Sequence, residues 1–352
     1  MSQHRIVILG YADSVHVRRW AHGMCSRGFA MKVVSLGGSS IDGIDTTIIP
    51  RRSRIRYLML ASQARREAMA FSPNLVHAHS AAGYGWWALR SRFSPTLVSV
   101  WGTDIMSLPS NPIGRSIVRR AVSGANWVSA TSAALKRVAL DVAPEVKDRI
   151  SVIPFGVVVP DRAEPLPPGP VRLCYAKGHA PVYGPDVLLH ALVLAAQDLP
   201  DISLTMAGSG EMTLQLRQQV SESGLDNRVR FAGFVPHDDI YDFIRQHHIM
   251  VMPSRREGFG VAALEAMACA RPVIASDVGG IPELVDHGRN GILVEPDNVD
   301  ALARAIVELV SGPDLMSRMG QAGYEVVKER YDWERSLDMM AELYERLIYE
   351  SR

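Results

Sequence analysis

At 352 residues the chain is too long for one ordinary hydrophobic core, so we expect two domains. Hydrophobic residues make up 47% and charged residues 21% of the chain, a composition that excludes a disordered or a fibrous protein. The net charge of +1 conceals an asymmetry, because residues 1–160 carry 20 Lys and Arg against 8 Asp and Glu, which leaves the rest of the chain acidic. This imbalance indicates that the first half faces an anionic partner.

The first half alternates short apolar runs with stretches of helical period. Its first run, RIVILG, ends at Gly10 and is too short for a signal peptide or a membrane span, so we expect a cytoplasmic protein. The next stretch predicts a helix that ends near Gly28, with an apolar face made of Val15, Val17, Trp20, Ala21 and Met24. Further strands, each apolar throughout as in a parallel sheet covered on both faces, are predicted at MKVVSLG, NLVHAHS, TLVSVWG, NWVSATS and RISVIPFG.

The same alternation restarts after a proline-rich segment, which predicts a short stiff linker over residues 161–170. Strands of the second half are predicted at VRLCYAKG, SLTMAGSG, VRFAGFV, HHIMVMPS, RPVIASDVGG and GILVEP. We therefore predict an α/β protein with two facing, doubly wound, Rossmann-like domains over residues 1–160 and 171–330. A C-terminal helix over residues 331–352 is expected to pack near the junction of these domains. In such sheets ligands bind at the carboxyl ends of the strands.

The segment REGFGVAALEAMA, residues 256–268, follows a predicted strand and opens a helix. Gly258 and Gly260 let the backbone approach a ligand closely, and the helix start presents N–H groups to an anion. Glu257 lies in the loop, and Glu265 lies about a turn and a half into the helix. Either glutamate alone is an ordinary surface acid, but the whole segment predicts a phosphate or diphosphate site with Glu265 on ribose hydroxyls.

This segment resembles the retaining, nucleotide-sugar-dependent glycosyltransferases of family 4, which have the two-domain GT-B fold. Their hallmark is two glutamates with seven residues between them, followed by a helix and a pattern that this chain matches with PVIASDVGGIPE. The likeness continues through VIPFG, VRFAGFV and RYDWE. The resemblance implies a C-terminal helix that crosses back to the first domain. It also implies that Glu257 contacts the donor sugar, that Glu265 binds the ribose, and that the backbone of Phe259, Gly260 and Val261 holds sugar and phosphate.

The resemblance further implies an Arg and a Lys that neutralise the diphosphate, but Gly178 and Tyr183 stand at those two positions. Positive charge at the leaving group is still needed, since preorganised charge stabilises the transition state. We expect it from the helix start and from a set of candidates that comprises Lys177, His179, Arg255 and Arg256. The other donor-binding candidates, from the neighbouring loops and the matching segments, are Gly178, Gly208, Gly210, Phe234, Val235 and Gly258.

Polar residues after the strands of the first half are candidates for the acceptor side. Two histidines end one strand, but a third metal ligand is not evident and the three cysteines are widely separated, so we predict no metal site. The resemblance gives His79 a contact with the transferred sugar and leaves His77 as a partly buried strand residue. Asp104 either orients the acceptor hydroxyl or caps a helix. At the first strand, Gly10 and His16 are acceptor-binding candidates, as are Asp13 and Ser14, which are equally placed to cap the helix.

Arginines alternate with apolar residues over residues 51–67, and the theme repeats over 114–122. Such a stretch lies either on an anionic membrane surface, where lipid-linked acceptors reside, or on a solvated helix. We expect no nucleic-acid partner and no cofactor beyond a nucleoside diphosphate sugar as co-substrate.

The resemblance implies a retaining, metal-independent hexosyltransferase that uses a nucleoside diphosphate sugar, with a UDP-sugar favoured, and a hydroxyl acceptor such as a lipid-linked or cell-envelope glycan precursor. Two alternatives stay open, a nucleotide-sugar epimerase of the same fold and a nonenzymatic sugar-nucleotide-binding scaffold protein. A dinucleotide-dependent oxidoreductase would need Gly-x-Gly-x-x-Gly, but Gly208 and Gly210 are followed by Thr213 where the third glycine should be.

Overall fold

The computed structural model describes residues 3–50, 59–107 and 112–351. Arg51, Arg52, Arg54 and Arg56 of the predicted membrane-binding stretch therefore lie outside the described residues. The chain divides into two compact units, one made of Met1–Pro154 with Glu334–Arg352 and the other of Phe155–Trp333. No helix in the described part of the chain combines the length and the apolar character that crossing a membrane requires.

The first unit is built on a parallel sheet. Its strands are β1 (Arg5–Leu9), β2 (Ala30–Leu36), β3 (Asp45–Ile49), β4 (Leu75–His79), β5 (Thr96–Val100), β6 (Trp127–Ala130) and β7 (Ile150–Val152). They pair in the order β3-β2-β1-β4-β5-β6-β7. The helices that connect them are α1 (Val15–Ser26), α2 (Ala61–Ala70), α3 (Gly83–Ser91), α4 (Thr103–Met106), α5 (Pro112–Gly124) and α6 (Ala133–Val142), with a 3₁₀ turn at Pro144–Arg149.

The second unit repeats this plan. Its strands are β8 (Arg172–Ala176), β9 (Ser203–Ala207), β10 (Val229–Gly233), β11 (Ile249–Met252), β12 (Val273–Ser276) and β13 (Gly291–Val294). They pair in parallel in the order β10-β9-β8-β11-β12-β13. The helices are α7 (Pro185–Asp198), α8 (Thr213–Glu222), α9 (Ile240–Arg245), α10 (Val261–Ala268), α11 (Val299–Ser311) and α12 (Pro313–Arg330), with 3₁₀ turns at Pro181–Tyr183, His237–Asp239 and Ile281–Glu283. The predicted pair of doubly wound Rossmann-like domains is thus confirmed.

Apolar strands covered by helices on both faces explain why the sheets form where the sequence predicts them. Every residue of β4 and of β5 is buried, as expected for the centre of such a sheet. The strand that the sequence analysis missed is β3, which lies at the edge of the first sheet and pairs with β2. Its residues DTTII are half polar and mostly half-buried, so the apolar signal of a central strand is weak there.

Helix α1 packs as predicted except at its first residue. Val17, Trp20, Ala21 and Met24 are buried, whereas Val15 is 38% exposed. The chain leaves the helix at Gly28, which has a φ of +87° and donates its N–H to the Cys25 carbonyl.

The second unit begins before the proline-rich segment. Phe155 packs against Phe259, with ring centroids 6.4 Å apart, so the boundary falls after Pro154 rather than at residue 160. The segment predicted as a linker lies on the second unit, because Arg271 donates to the Glu164 carbonyl at 3.1 Å and Tyr324 Oη donates to the preceding Pro160 carbonyl at 2.7 Å. Residues 161–170 are therefore fixed to that unit.

The last helix, α13 (Trp333–Glu350), belongs almost entirely to the first unit. Arg27 on α1 forms ion pairs with Glu334 and Asp338 at 2.8 Å each. Tyr344 is fully buried and packs edge-on against Phe29, with ring centroids 5.5 Å apart. The chain thus returns to its first unit after completing the second, as the predicted fold requires.

Arg271, next to β12, is a buried cation that links several backbone segments of the second unit. It is 2% exposed and donates to four carbonyl oxygens, those of Glu164, Arg245, His247 and Cys269, at 2.6 to 3.1 Å. Its removal would leave buried acceptors without donors, which costs more than a typical hydrogen bond contributes.

We predict that Arg271→Met lowers the free energy of unfolding of the second unit by about 3 kcal/mol. Urea denaturation followed by circular dichroism measures this change. Arg318→Met, at an exposed position on α12, is the matched control and should stay within about 0.5 kcal/mol of the wild type. Equal stability of the two variants would contradict the structural role of Arg271.

Candidate functional site

Loops at the carboxyl ends of β8, β9, β11 and β12 pack backbone against backbone in the second unit. Two glycines make this possible, Gly208 with a φ of +112° and Gly279 with a φ of +56°. A Cβ atom at Gly208 would collide with the Lys177 carbonyl oxygen, and one at Gly279 would collide with the Glu257 carbonyl oxygen. Glycine alone accommodates both the positive φ and the close backbone contact. These loops therefore hold Lys177 and Glu257 at fixed places.

Lys177 and Glu257 form a half-buried ion pair, with side chains that are 16% and 11% exposed. Lys177 Nζ lies 2.5 Å from Glu257 Oε2 and 4.9 Å from the centroid of the Tyr183 ring. Burial opposes the charge on Lys177, but Glu257 outweighs it and the pKa of Lys177 lies above its ordinary value. Tyr183 stands where the resemblance leads us to expect a lysine. The ammonium group of Lys177 nevertheless lies against the Tyr183 ring.

Helix α10 supplies the second glutamate. The chain enters this helix at Gly260, which has a φ of +107° and whose carbonyl accepts the Ala263 N–H at 2.9 Å. The N–H groups that precede it at a helix start have no acceptor one turn back. Phe259 is 3% exposed and packs against Phe155 and Tyr331, which fixes the backbone at the helix start. Glu265 is 6% exposed, and its Oε1 lies 3.6 Å from His237 Nδ1. Val261, the first residue of the helix, is half-buried.

Arg255 does not supply the free positive charge that the sequence analysis expected of it. Its guanidinium group binds both carboxylate oxygens of Asp186 at 2.7 and 3.0 Å, and Asp297 at 2.6 Å. These partners, Asp186 first, raise the pKa of Arg255 above its ordinary value. Because two carboxylates neutralise it, Arg255 instead ties the loop after β11 to the start of α7. Arg256 is exposed on the same loop.

His179 is likewise not a cation. It is fully buried, its Nδ1 lies 3.0 Å from Thr213 Oγ1, and burial lowers its pKa. The neutral ring helps to hold the loop after β9, since Thr213 Oγ1 also accepts the Gly210 N–H at 2.9 Å. Thr213, which stands where a dinucleotide-binding motif would have its third glycine, therefore fixes the conformation of this loop.

The remaining donor-side candidates lie in the loops after β8, β10 and β11. The Gly178 carbonyl accepts a hydrogen bond from Tyr175 Oη at 2.9 Å, which fixes the turn beside Lys177. Phe234 is 78% exposed directly after β10, and Val235 beside it is half-buried. Gly258 is buried just before the start of α10. An aromatic ring with most of its surface in solvent offers a stacking surface at the carboxyl edge of the sheet.

In the first unit the segments that end or follow β1, β4 and β5 bring three side chains and a glycine together. His79 is 2% exposed, and its ring centroid lies 4.6 Å from that of Trp101. Trp101 also packs edge-on against His16, with centroids 5.7 Å apart. Gly10 lies close behind, since a Cβ atom there would be 3.3 Å from His79 Cβ. Burial, together with His77 and His16, lowers the pKa of His79, so the ring is neutral.

Asp104, predicted either to orient the acceptor hydroxyl or to cap a helix, holds backbone N–H groups in this structure. Its carboxylate accepts the backbone N–H groups of Ala81, Trp101 and Gly102 at 2.8, 3.1 and 2.9 Å. Burial nonetheless raises its pKa. Both oxygens are committed to the backbone, so the carboxylate joins the loop after β4 to the loop after β5.

Asp13 and Ser14 differ in their surroundings. Asp13 accepts hydrogen bonds from the Ser39 N–H and Oγ at 3.0 and 2.7 Å. These hydrogen bonds lower the pKa of Asp13 and connect the loop after β1 to the loop after β2. Ser14 precedes α1, but its side chain makes no capping hydrogen bond among the described residues. Ser14 therefore occupies the N-cap position of α1 without a side-chain bond to the helix.

Comparison with known proteins follows the same division of the chain. Residues 5–132 match the family model described as Glycosyl transferase 4-like, and residues 161–326 match the one described as Glycosyl transferases group 1. An uncharacterized glycosyltransferase of Methanocaldococcus jannaschii is 29% identical over 278 residues, which are 78% of this chain and 76% of that protein. A D-inositol 3-phosphate glycosyltransferase of Streptomyces bingchenggensis is 33% identical over 51% of this chain, and the match spans 41% of that protein.

Among solved structures, Anabaena HepE in complex with UDP and glucose superposes with a TM-score of 0.82 at 19% identity, over 97% of this chain and 99% of that one. This likeness concerns the fold, which is GT-B. The two family models agree with it and together span most of the chain. The chain therefore belongs to the group 1 superfamily of glycosyltransferases with the GT-B fold.

Proposed function

We propose that this protein is a retaining, metal-independent hexosyltransferase that moves a sugar from a UDP-sugar to a hydroxyl acceptor. The observation that carries the proposal is the half-buried Lys177–Glu257 ion pair at the carboxyl edge of the second sheet, where Glu257 is close in sequence to the start of α10. The names of its relatives add support, because they include D-inositol 3-phosphate glycosyltransferase. The similar HepE structure is a complex with UDP and glucose, which favours a uridine nucleotide here.

The second unit would bind the donor. Lys177 and the first-turn N–H groups of α10 would meet the diphosphate, since a fixed ammonium and a helix N-terminus both favour an anion. Glu257, already oriented by Lys177, would accept hydrogen bonds from hydroxyl groups of the donor sugar. Glu265 would accept them from the ribose. The exposed ring of Phe234 is suited to stack on the base.

The first unit would bind the acceptor and contact the transferred sugar. His79 is neutral, so it serves as a hydrogen-bond partner for a sugar hydroxyl and not as an acid. We propose a front-face displacement in which the bond from the anomeric carbon to the leaving phosphate oxygen breaks as the acceptor oxygen attaches to the same face. The acceptor proton passes to the leaving phosphate, whose charge Lys177 stabilises. Glu257 then positions the sugar and forms no covalent intermediate.

We predict that Lys177→Met lowers kcat/KM for turnover of the preferred UDP-sugar by about 100-fold, because the diphosphate loses its fixed cation. Release of the nucleoside diphosphate is measured donor by donor, with UDP-sugars and GDP-sugars, in the presence of EDTA because no metal is required. Arg318→Met, which removes an exposed arginine from α12, is the matched control and should retain most activity. Loss of turnover in EDTA would contradict metal independence, and equal losses in the two variants would contradict the role of Lys177.

The acceptor side has an excess of positive charge that suits an anionic acceptor or a membrane surface. On α5, Ile113 is 73% exposed, and Arg115, Arg119 and Arg120 are exposed beside it. Together with the arginines of residues 51–58, these residues form a basic and apolar group in the sequence of the first unit. We propose that this group holds the protein at an anionic lipid surface, where a lipid-linked acceptor lies.

Neutralising Arg51, Arg52, Arg54 and Arg56 together should weaken binding to vesicles that contain anionic lipid, because each basic residue near such a surface contributes about 1 kcal/mol. Cosedimentation with anionic and with uncharged vesicles measures the effect, and the uncharged vesicles are the control. If the variant binds anionic vesicles as well as the wild type does, the membrane proposal is wrong.

A further inference from the structure

A buried series of hydrogen bonds runs from α13 to the end of β4 within the first unit. Tyr344 Oη lies 2.6 Å from His77 Nδ1, and His77 Nε2 lies 2.7 Å from Ser99 Oγ. Ser99 Oγ lies in turn 2.5 Å from Ser129 Oγ. His79 Nε2 joins the series at 3.3 Å from the same His77 Nδ1. All five side chains are buried, so their polar atoms have to be satisfied within the protein.

The tyrosine determines the direction of these hydrogen bonds. Burial raises the pKa of Tyr344, so the hydroxyl keeps its proton, and its hydrogen-bond partner among the described residues is His77 Nδ1. The hydroxyl therefore donates, and His77 Nδ1 accepts. Burial lowers the pKa of His77 to about 3, so this ring is neutral and its single proton is on Nε2. From there it donates to Ser99 Oγ.

The tautomer of His77 determines the tautomer of His79. The neutral ring of His79 also carries one proton, on either of its two nitrogens. The one lone pair of His77 Nδ1 accepts the Tyr344 proton at 2.6 Å, and His79 Nε2 lies farther away, at 3.3 Å from the same nitrogen. A proton on His79 Nε2 is attracted to this shared lone pair, whereas a second lone pair would be repelled. His79 Nδ1 then carries the lone pair. Within the part of the chain that the structure describes, this buried atom has no hydrogen-bond partner.

We propose that Tyr344, acting through His77, is a positioning residue that holds His79 as an acceptor at Nδ1. An acceptor at this atom selects a ligand hydroxyl and rejects a carbonyl or phosphate oxygen, neither of which brings a proton. The assignment of this hydroxyl to the transferred sugar rests on the proposed function. The tautomer of His79 does not depend on that function. Trp101 packs against the ring of His79 and limits its tilt.

The tautomer can be measured on the protein without substrate. Long-range proton–nitrogen correlation spectra of protein labelled with ¹⁵N-histidine distinguish a protonated ring nitrogen from an unprotonated one, and His79→Gln assigns the signals. We expect a protonated Nε2 and an unprotonated Nδ1 on His79 in the wild type. In Tyr344→Phe, which removes one buried oxygen, we expect a mixture of tautomers. Tyr324→Phe removes a buried hydroxyl from the second unit and should leave His79 unchanged.

A proton on His79 Nδ1 in the wild type, or the same His79 signals in Tyr344→Phe as in the wild type, would overturn the proposal. Because this measurement needs no turnover, it can fail while nucleotide-sugar transfer stands, and transfer can fail while it succeeds.

Kinetics separate positioning from general destabilisation. Tyr344→Phe should lower kcat/KM about tenfold, the equivalent of one lost hydrogen bond. In a His79→Gln background the same substitution should cause no further loss, because the residue through which Tyr344 acts is gone. An equal loss in both backgrounds would mean that Tyr344 acts on the fold and would overturn its positioning role.

Discussion

The donor half of the proposed site depends on one ion pair, that between Lys177 and Glu257. An ammonium group that has lost part of its hydration is stable only when a carboxylate and other partners compensate for that loss, and here Glu257 and the Tyr183 ring supply the compensation. The close backbone contacts at Gly208 and Gly279 fix the loops that hold both side chains. The pair therefore stands ready before a ligand arrives. Arg255 also helps to fix these loops, because its hydrogen bonds to Asp186 and Asp297 hold the loop after β11 in place.

Much of the fold could be predicted from the sequence, because both sheets are made of apolar strands buried on both faces. The exception was β3, an edge strand whose half-polar residues lack that signal. The boundary between the units lies after Pro154 and not at residue 160 for a different reason. Prolines such as Pro160 indicate a stiff segment but not what it packs on, and here Tyr324 and Arg271 hold it on the second unit. Packing partners that are distant in sequence decide such details.

The kinds of residue at the site could be predicted from the sequence, but the contacts that each of them makes could not. The sequence pattern placed Glu257 in the loop before a helix, Glu265 inside that helix and His79 at the end of a strand, where the structure has them. The hydrogen-bond partners of Asp104 and Arg255 could not be predicted, because a charged residue in a loop does not reveal its partners. Those partners are the backbone around Ala81 and Trp101 in one case, and two carboxylates far along the chain in the other. The hydrogen bond from Tyr344 to His77 joins positions 267 residues apart, beyond the reach of any local pattern.

The central claim is that the ammonium of Lys177 meets the diphosphate in place of the missing Arg and Lys pair. Isothermal titration of UDP and of UMP, with wild type and with Lys177→Met, tests it most directly, because the two ligands differ only by the second phosphate. The account predicts that the wild type binds UDP at least about tenfold more tightly than UMP, and that Lys177→Met abolishes most of this preference. If the preference for UDP survives the substitution unchanged, another group meets the diphosphate and the account is wrong.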